Sequence, residues 1–177
     1  HYDGAFFAER NRRMKAASRV WSIYYSFFVA TSAFKFRMIV FKSVVISVLY
    51  SGIMSFVVSR PECKLFDSFI LTRARSMLGG RATDKTEIGE QIRYVSRGNM
   101  YVWRQLQSAD TENELRIARL KQWQSIFLRP EHHEQFLAAM FGKLQHEEQH
   151  TTIPDHPWVK QMREDFRCLL DIDEAHY

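Results

Sequence analysis

The chain has 177 residues, 46% of them apolar and 14% aromatic, which excludes a disordered tail and provides material for a real core. Seven Gly and four Pro are too few for a turn-rich β-sandwich, and Cys63 and Cys168 lie too far apart for a disulfide framework or a CxxC metal site. The net charge of +5 is divided unevenly: residues 1–81 hold 13 Lys/Arg against 4 Asp/Glu, a surplus of +9, and residues 82–177 hold 12 against 16, a deficit of −4. Such asymmetry predicts that the first half alone faces a polyanion, the plainer alternative being an ordinary solvated basic face.

The chain opens at His1 without an initiator Met, which reads as a trimmed or partial product, and the charged residues before the first apolar run do not make a signal peptide. Residues 5–29 read as a first helix, with Ala17, Val20, Trp21, Tyr24, Phe27 and Phe28 on one stripe. Thr31-Ser32 offers an N-cap to a second, whose stripe is Phe34, Met38, Phe41, Val45, Val48 and Leu49. The β-branched run Val44-Val45-Ile46 conflicts locally with helix, and Gly52 is placed to kink or end it. Ser59-Arg60-Pro61-Glu62 is a capping box with Pro in the first turn; the helix it opens carries Leu65, Phe66, Phe69 and Ile70 and closes at Gly79-Gly80.

Residues 81–97 are polar and read as a linker between two subdomains. Beyond it, 99–107 reads as a short helix with Met100, Trp103 and Leu106 on one side. Thr111-Glu112-Asn113-Glu114 reads as a second capping box, opening a helix with Leu115, Ile117, Leu120, Trp123, Ile126 and Phe127. Pro130 starts another helix that Gly142 stops, and Pro157 opens a last one holding Trp158, Met162, Phe166 and Leu169.

Three candidate chemistries stand out. His146-Glu147-Glu148-Gln149-His150 fits H-E-x-x-H, in which two His one helical turn apart bind zinc and the Glu activates water, with His156 where a third ligand would stand. Against a zinc peptidase, Ile153 replaces the Gly that permits the turn toward that third His. The stretch is polar and follows a helix stop, only 21 residues follow His156, and the first half reads as helices rather than an active-site sheet. The uncharged runs Val20–Phe34 and Ser43–Ser59 are shorter than the ~20 apolar residues of a membrane span, and a buried helical hairpin explains them better. Third, Arg12, Arg13, Arg19, Lys35, Arg37, Lys42, Arg73 and Arg75 are candidate phosphate contacts, with no base-reading motif beside them, so any binding is expected to tolerate sequence. The Trp and Phe residues read as core before stacking platforms. There is no Gly-rich phosphate loop and no G-x-S-x-G elbow.

Val48-Leu49-Tyr50-Ser51-Gly52, then Phe66-Asp67-Ser68-Phe69, then Arg75, Leu78 and Gly79 follow one another in an order that resembles the region C-terminal to the palm in LINE-type, non-LTR retrotransposon reverse transcriptases. There a Leu-Leu-Tyr-Gly segment precedes a Leu-Asp-x-Phe helix rich in Arg and then Leu-Gly; here an extra Ser separates the Tyr from the Gly. Glu114–Trp123 is similar to the family's Arg-Leu-x-Trp helix, and Arg129–His133 to the His-containing segment after it. The likeness covers about 34–141 and is closest to divergent copies. It implies a thumb-like helical region that grips an RNA–DNA or DNA duplex by its backbone, beside an upstream polymerase palm of the same polyprotein. It also implies no catalysis by this stretch alone, since polymerisation needs a metal-holding carboxylate cluster and the chain has no Asp-Asp.

The expectation is therefore an all-α chain of about six to seven helices in two subdomains, 1–80 and 98–177, joined by 81–97. It is expected to need no cofactor or metal, to lie inside the cell in nucleus or cytoplasm, and not to enter a membrane. The alternatives are a helical protein-interaction module and, behind it, a zinc-dependent peptidase through His146, Glu147, His150 and His156.

Overall fold

A computed structural model describes residues 2–79, 83–88, 91–96, 98–129 and 157–174. The fold is all-α, with one pair of short strands among the described residues. The chain divides into two compact units, 1–114 and 115–177.

In the first unit, α1 (Tyr2–Ile23) runs one residue short of α2 (Tyr25–Phe28), so the expected first helix is interrupted at Tyr24. Its inward stripe is Phe6, Ala17 and Trp21, all buried. The second expected helix is a continuous rod made of α3 (Phe34–Val40), a π-helical stretch (Phe41–Ile46) and α4 (Ser47–Tyr50). The π turns coincide with the β-branched run Val44-Val45-Ile46. Widening the helix there relieves the crowding that β-branched side chains suffer against the preceding turn. Met38, Phe41, Val45, Ile46 and Leu49 are all buried along this rod, which packs against α1. Gly52 ends it with φ +72°, a left-handed conformation that glycine adopts without steric cost.

The start of α3 departs from expectation. Its N-cap is Ala33, with no side-chain cap, instead of Thr31-Ser32. The capping box of α5 (Arg60–Met77) forms as read: Glu62 accepts the Ser59 backbone N–H at 3.0 Å and its hydroxyl at 2.7 Å. Gly79, with φ +100°, follows the helix as its stop.

Residues 83–96, expected to be a polar linker, hold an antiparallel hairpin: β1 (Thr83–Ile88) pairs with β2 (Gln91–Ser96), Thr83 opposite Ser96 and Ile88 opposite Gln91. The hairpin does not separate subdomains. α6 (Asn99–Leu106) packs on α5 and buries Val102, Trp103 and Leu106, whereas Met100 faces solvent, 73% exposed. The boundary accordingly falls after Glu114, four residues into α7 (Thr111–Phe127), and not at 81–97.

The aromatic centre of the first unit is Trp21 stacked on Phe28 (centroids 4.8 Å apart, planes within 5°), with Phe41 edge-on to both at 5.8 Å. Phe28 and Phe41 are wholly buried; each contributes about 2–3 kcal/mol by burial.

In the second unit, Leu115, Arg119 and Trp123 recur every four residues on α7 and are buried, while Ile117 is exposed. α8 (Pro157–Glu174) answers with Asp165, 1% exposed. Its carboxylate accepts from Arg119 Nε at 2.6 Å and Arg119 Nη2 at 2.9 Å, with Arg116 at 3.4 Å and Gln161 at 3.3 Å. Phe166, expected inward, is exposed, because the face of α8 that α7 meets is centred one residue earlier. The expected helix after Pro130 lies outside the described residues.

Candidate nucleic-acid interface

The eight basic residues marked as phosphate contacts separate into two sets. Arg37 is inside. Its Nε donates to Ser32 O at 3.0 Å, and one terminal nitrogen donates to Phe28 O at 2.6 Å and Met77 O at 2.9 Å. Phe28 and Met77 are the last residues of α2 and α5, so the guanidinium sits against two helix C-termini, where the aligned peptide dipoles favour a cation. Buried and committed to three backbone carbonyls, Arg37 is not presented to a phosphate, which removes it from the site.

Three more have structural partners. Lys42 donates to Gln107 O at 2.7 Å, just past the end of α6. Arg73 lies over the Phe69 ring at 3.4 Å and donates to Ser18 Oγ at 3.2 Å; its partial burial lowers the guanidinium pKa by desolvation. Arg75 donates to Asn99 Oδ1 at 2.6 Å.

The remaining four are Arg12, Arg13, Arg19 and Lys35. Arg12 donates twice to Glu9, at 2.7 and 2.6 Å, and Arg13 once at 2.6 Å. Hydrogen bonding from Arg12 first, then Arg13, holds the Glu9 carboxyl down at about 2. Arg12 remains largely in solvent, and Arg19 and Lys35 are exposed with no carboxylate among the described residues paired to them. Lys15, which the sequence reading passed over, joins them. Arg12, Lys15 and Arg19 stand at i, i+3 and i+7 on α1, all exposed, a row about 10 Å long on the face opposite Ala17 and Trp21.

Acids do not interrupt this row. Between Glu9 and Glu62 the sequence has no Asp or Glu, a signal that the half-chain charge count blurred. The acids that flank the gap are occupied: Glu9 as above, Glu62 in the α5 cap, and Asp67 by Thr111. This last contact corrects another expectation. Thr111 does not cap α7; Asp110 does, accepting the Asn113 N–H at 3.0 Å, while Glu114 reaches back to the Ala109 N–H at 3.0 Å. Thr111 is buried instead, giving Asp67 its N–H at 2.8 Å and its hydroxyl at 2.6 Å, with Tyr50 Oη 2.9 Å from the same hydroxyl. Burial pushes the Tyr50 phenol pKa well up, so it stays protonated.

His146, Glu147, His150 and His156 lie outside the described residues. Among the described residues no group of three His, Cys, Asp or Glu side chains is placed to hold a metal ion. Nor is any described helix long and apolar enough to cross a membrane. No protein-family model, curated protein or solved structure matches the chain.

Proposed function

We propose that this chain is a non-catalytic helical module of a non-LTR-type reverse transcriptase, from the region that follows the palm, and that it holds nucleic acid by the phosphate backbone. The observation that carries the binding role is the exposed row of Arg12, Lys15 and Arg19 on α1, in which Arg12 alone is paired, to Glu9, with Lys35 a further exposed cation of the same unit that has no carboxylate partner among the described residues. Backbone contact requires only positive charge within reach, and no base-reading element accompanies the row.

What supports the family reading is where its motif residues sit. Leu49, Phe66 and Phe69 are core, Tyr50 and Asp67 meet at Thr111, and Gly52 and Gly79 take the positive φ that their turns require. A divergent copy that keeps its framework residues in framework positions is consistent with a folded module. The partners are then an RNA–DNA or DNA duplex and the upstream palm of the same polyprotein. An in-frame Tyr-x-Asp-Asp upstream in the transcript is the genetic expectation.

Fluorescence anisotropy of a labelled duplex titrated with the chain tests the binding role. Micromolar or weaker binding is expected, with log K falling against log salt at a slope of about −2 to −3, near 0.9 per phosphate neutralised. The triple variant Lys15→Glu, Arg19→Glu, Lys35→Glu should abolish it with the helical circular dichroism unchanged. Salt-independent binding would sink the proposal. A helical protein-interaction module is the second reading, favoured by the outward Met100 and the half-exposed Leu65, and predicts self-association without nucleic-acid binding.

A further inference from the structure

α1 and α5 meet through side chains at two levels. Arg10 stands 3.9 Å from Glu62 in the first turn of α5, and further along both helices Arg73 Nη2 donates to Ser18 Oγ at 3.2 Å. The contacts ascend together, so the two helices run the same way. At the second contact a cation of α5 is set against the flank of α1. Its guanidinium folds back over the Phe69 ring, 3.4 Å from the centroid, and Nη1 donates to Phe69 O at 3.2 Å.

What Arg73 lacks is a counter-charge. No carboxylate among the described residues pairs with it, and desolvation alone, with no neighbouring charge, lowers its pKa. The other acids of α5 are held elsewhere, Glu62 in the helix cap and Asp67 by Thr111. Arg73 Nε is buried and has no hydrogen-bond partner. Each terminal nitrogen makes one hydrogen bond and keeps a further proton. The Ser18 hydroxyl accepts from Arg73, and no acceptor among the described residues takes its own proton. The seam thus gathers donors that no acceptor answers, around a cation taken partly out of water, which is costly while it stays unpaired.

Lys15 adds charge on the same flank. It is exposed and stands one helical turn before Ser18 on α1, toward the end to which the Arg73 guanidinium folds back. A guanidinium with open terminal donors beside a hydroxyl and an ammonium suits the oxygens of a phosphate group.

Resting on the backbone-binding reading above, we infer that the α1–α5 seam is a discrete phosphate site, in which Arg73 and the Ser18 hydroxyl hydrogen-bond one phosphodiester of the bound nucleic acid and Lys15 supplies charge beside it. The exposed row of α1 then meets neighbouring phosphates by charge alone, whereas the seam holds one of them by directed bonds.

The test is anisotropy of the labelled duplex with the 177-residue chain and the variants Arg73→Lys and Ser18→Ala. Arg73→Lys keeps the charge and the apolar stem over Phe69 but loses the spread of donors; about tenfold weaker binding at an unchanged salt slope is expected. Ser18→Ala removes no charge and should weaken binding a few fold, again at an unchanged slope. Alanine is the best helix former, so thermal melts should show this variant folded, and it decides the matter if Arg73→Lys melts early. Inorganic phosphate is the second probe. The buried Arg73 Nε–H should give a side-chain resonance, absent from Arg73→Lys, that moves on adding phosphate to the wild type and much less in Ser18→Ala. Duplex affinity unchanged in both variants, with the resonance unmoved by phosphate, overturns the seam site and leaves binding by the α1 row intact. A resonance that moves with phosphate while the wild type binds no duplex overturns the backbone reading and upholds the site, as one for a free phosphate group. No duplex binding and no movement overturns both.

Discussion

Among the described residues each unit of the molecule buries one arginine, and they do it in opposite ways. In the first unit Arg37 has no carboxylate; three backbone carbonyls, two of them at helix C-termini, take its protons. In the second, Arg119 is clamped by Asp165 through two short hydrogen bonds. The first arrangement draws on dipoles that the helices already possess. The second needs a charge brought in on another element, and a buried pair is costly to break because the survivor is left uncompensated.

The largest expected effect follows from that contrast. Asp165→Ala should destabilise the second unit by about 3–5 kcal/mol, since it orphans Arg119, while the double variant Arg119→Met, Asp165→Leu should restore most of the loss. Urea unfolding followed by tryptophan fluorescence, to which the four tryptophans of both units contribute, reads it out; a double variant no better than the single one would show that the pair's value is its attraction and not the penalty of an orphan. Arg37→Met comes next. It leaves three carbonyls short of a donor but strands no charge, so about 2–3 kcal/mol is expected in the same experiment. Arg37→Lys should recover part of this, because an ammonium keeps the charge at the helix ends but cannot reproduce the guanidinium's spread of donors.

The smallest effect concerns Glu9, whose carboxyl the hydrogen bonds of Arg12 and Arg13 hold down to about 2 from an ordinary 4.5. A lowered folded-state value means that its contribution is present in full above 4.5 and is lost as the pH falls toward 2. Between pH 5 and 8 the Glu9–Arg12 contact is therefore constant, and nucleic-acid binding should be flat over that range. Glu9→Gln frees Arg12 and Arg13 from their partner and should tighten binding by a few fold at low salt. A weakening instead would mean that Glu9 positions Arg12 for the ligand.

Much of the helical architecture was legible because it follows from local chemistry. The Ser59–Glu62 capping box, the Gly79 stop, and the buried positions Ala17, Trp21, Phe41, Val45, Leu49, Phe66 and Phe69 all appear where spacing placed them. The hairpin was missed because its polar residues obscured the β-formers Ile92, Tyr94 and Val95. Thr111 was misread because its partners, Asp67 and Tyr50, are remote in sequence, and Asp110 stood one residue earlier with the better oxygen for the cap. The candidate site was legible only in part. A helical pattern tells which face of α1 is basic; it does not tell that Phe28, Ser32 and Met77 will claim Arg37.

The bond from Arg75 to Asn99 joins the last turn of α5 to the first residue of α6 across the whole hairpin. The strands thus leave the scaffold and return to it at one place. Closing such an excursion costs only about 0.6 kcal/mol more for each doubling of its length. This makes the interval between Gly79 and Gly98 a place where length can vary without disturbing the packing of α6 on α5, and a natural point at which to insert a tag or a fluorescent reporter.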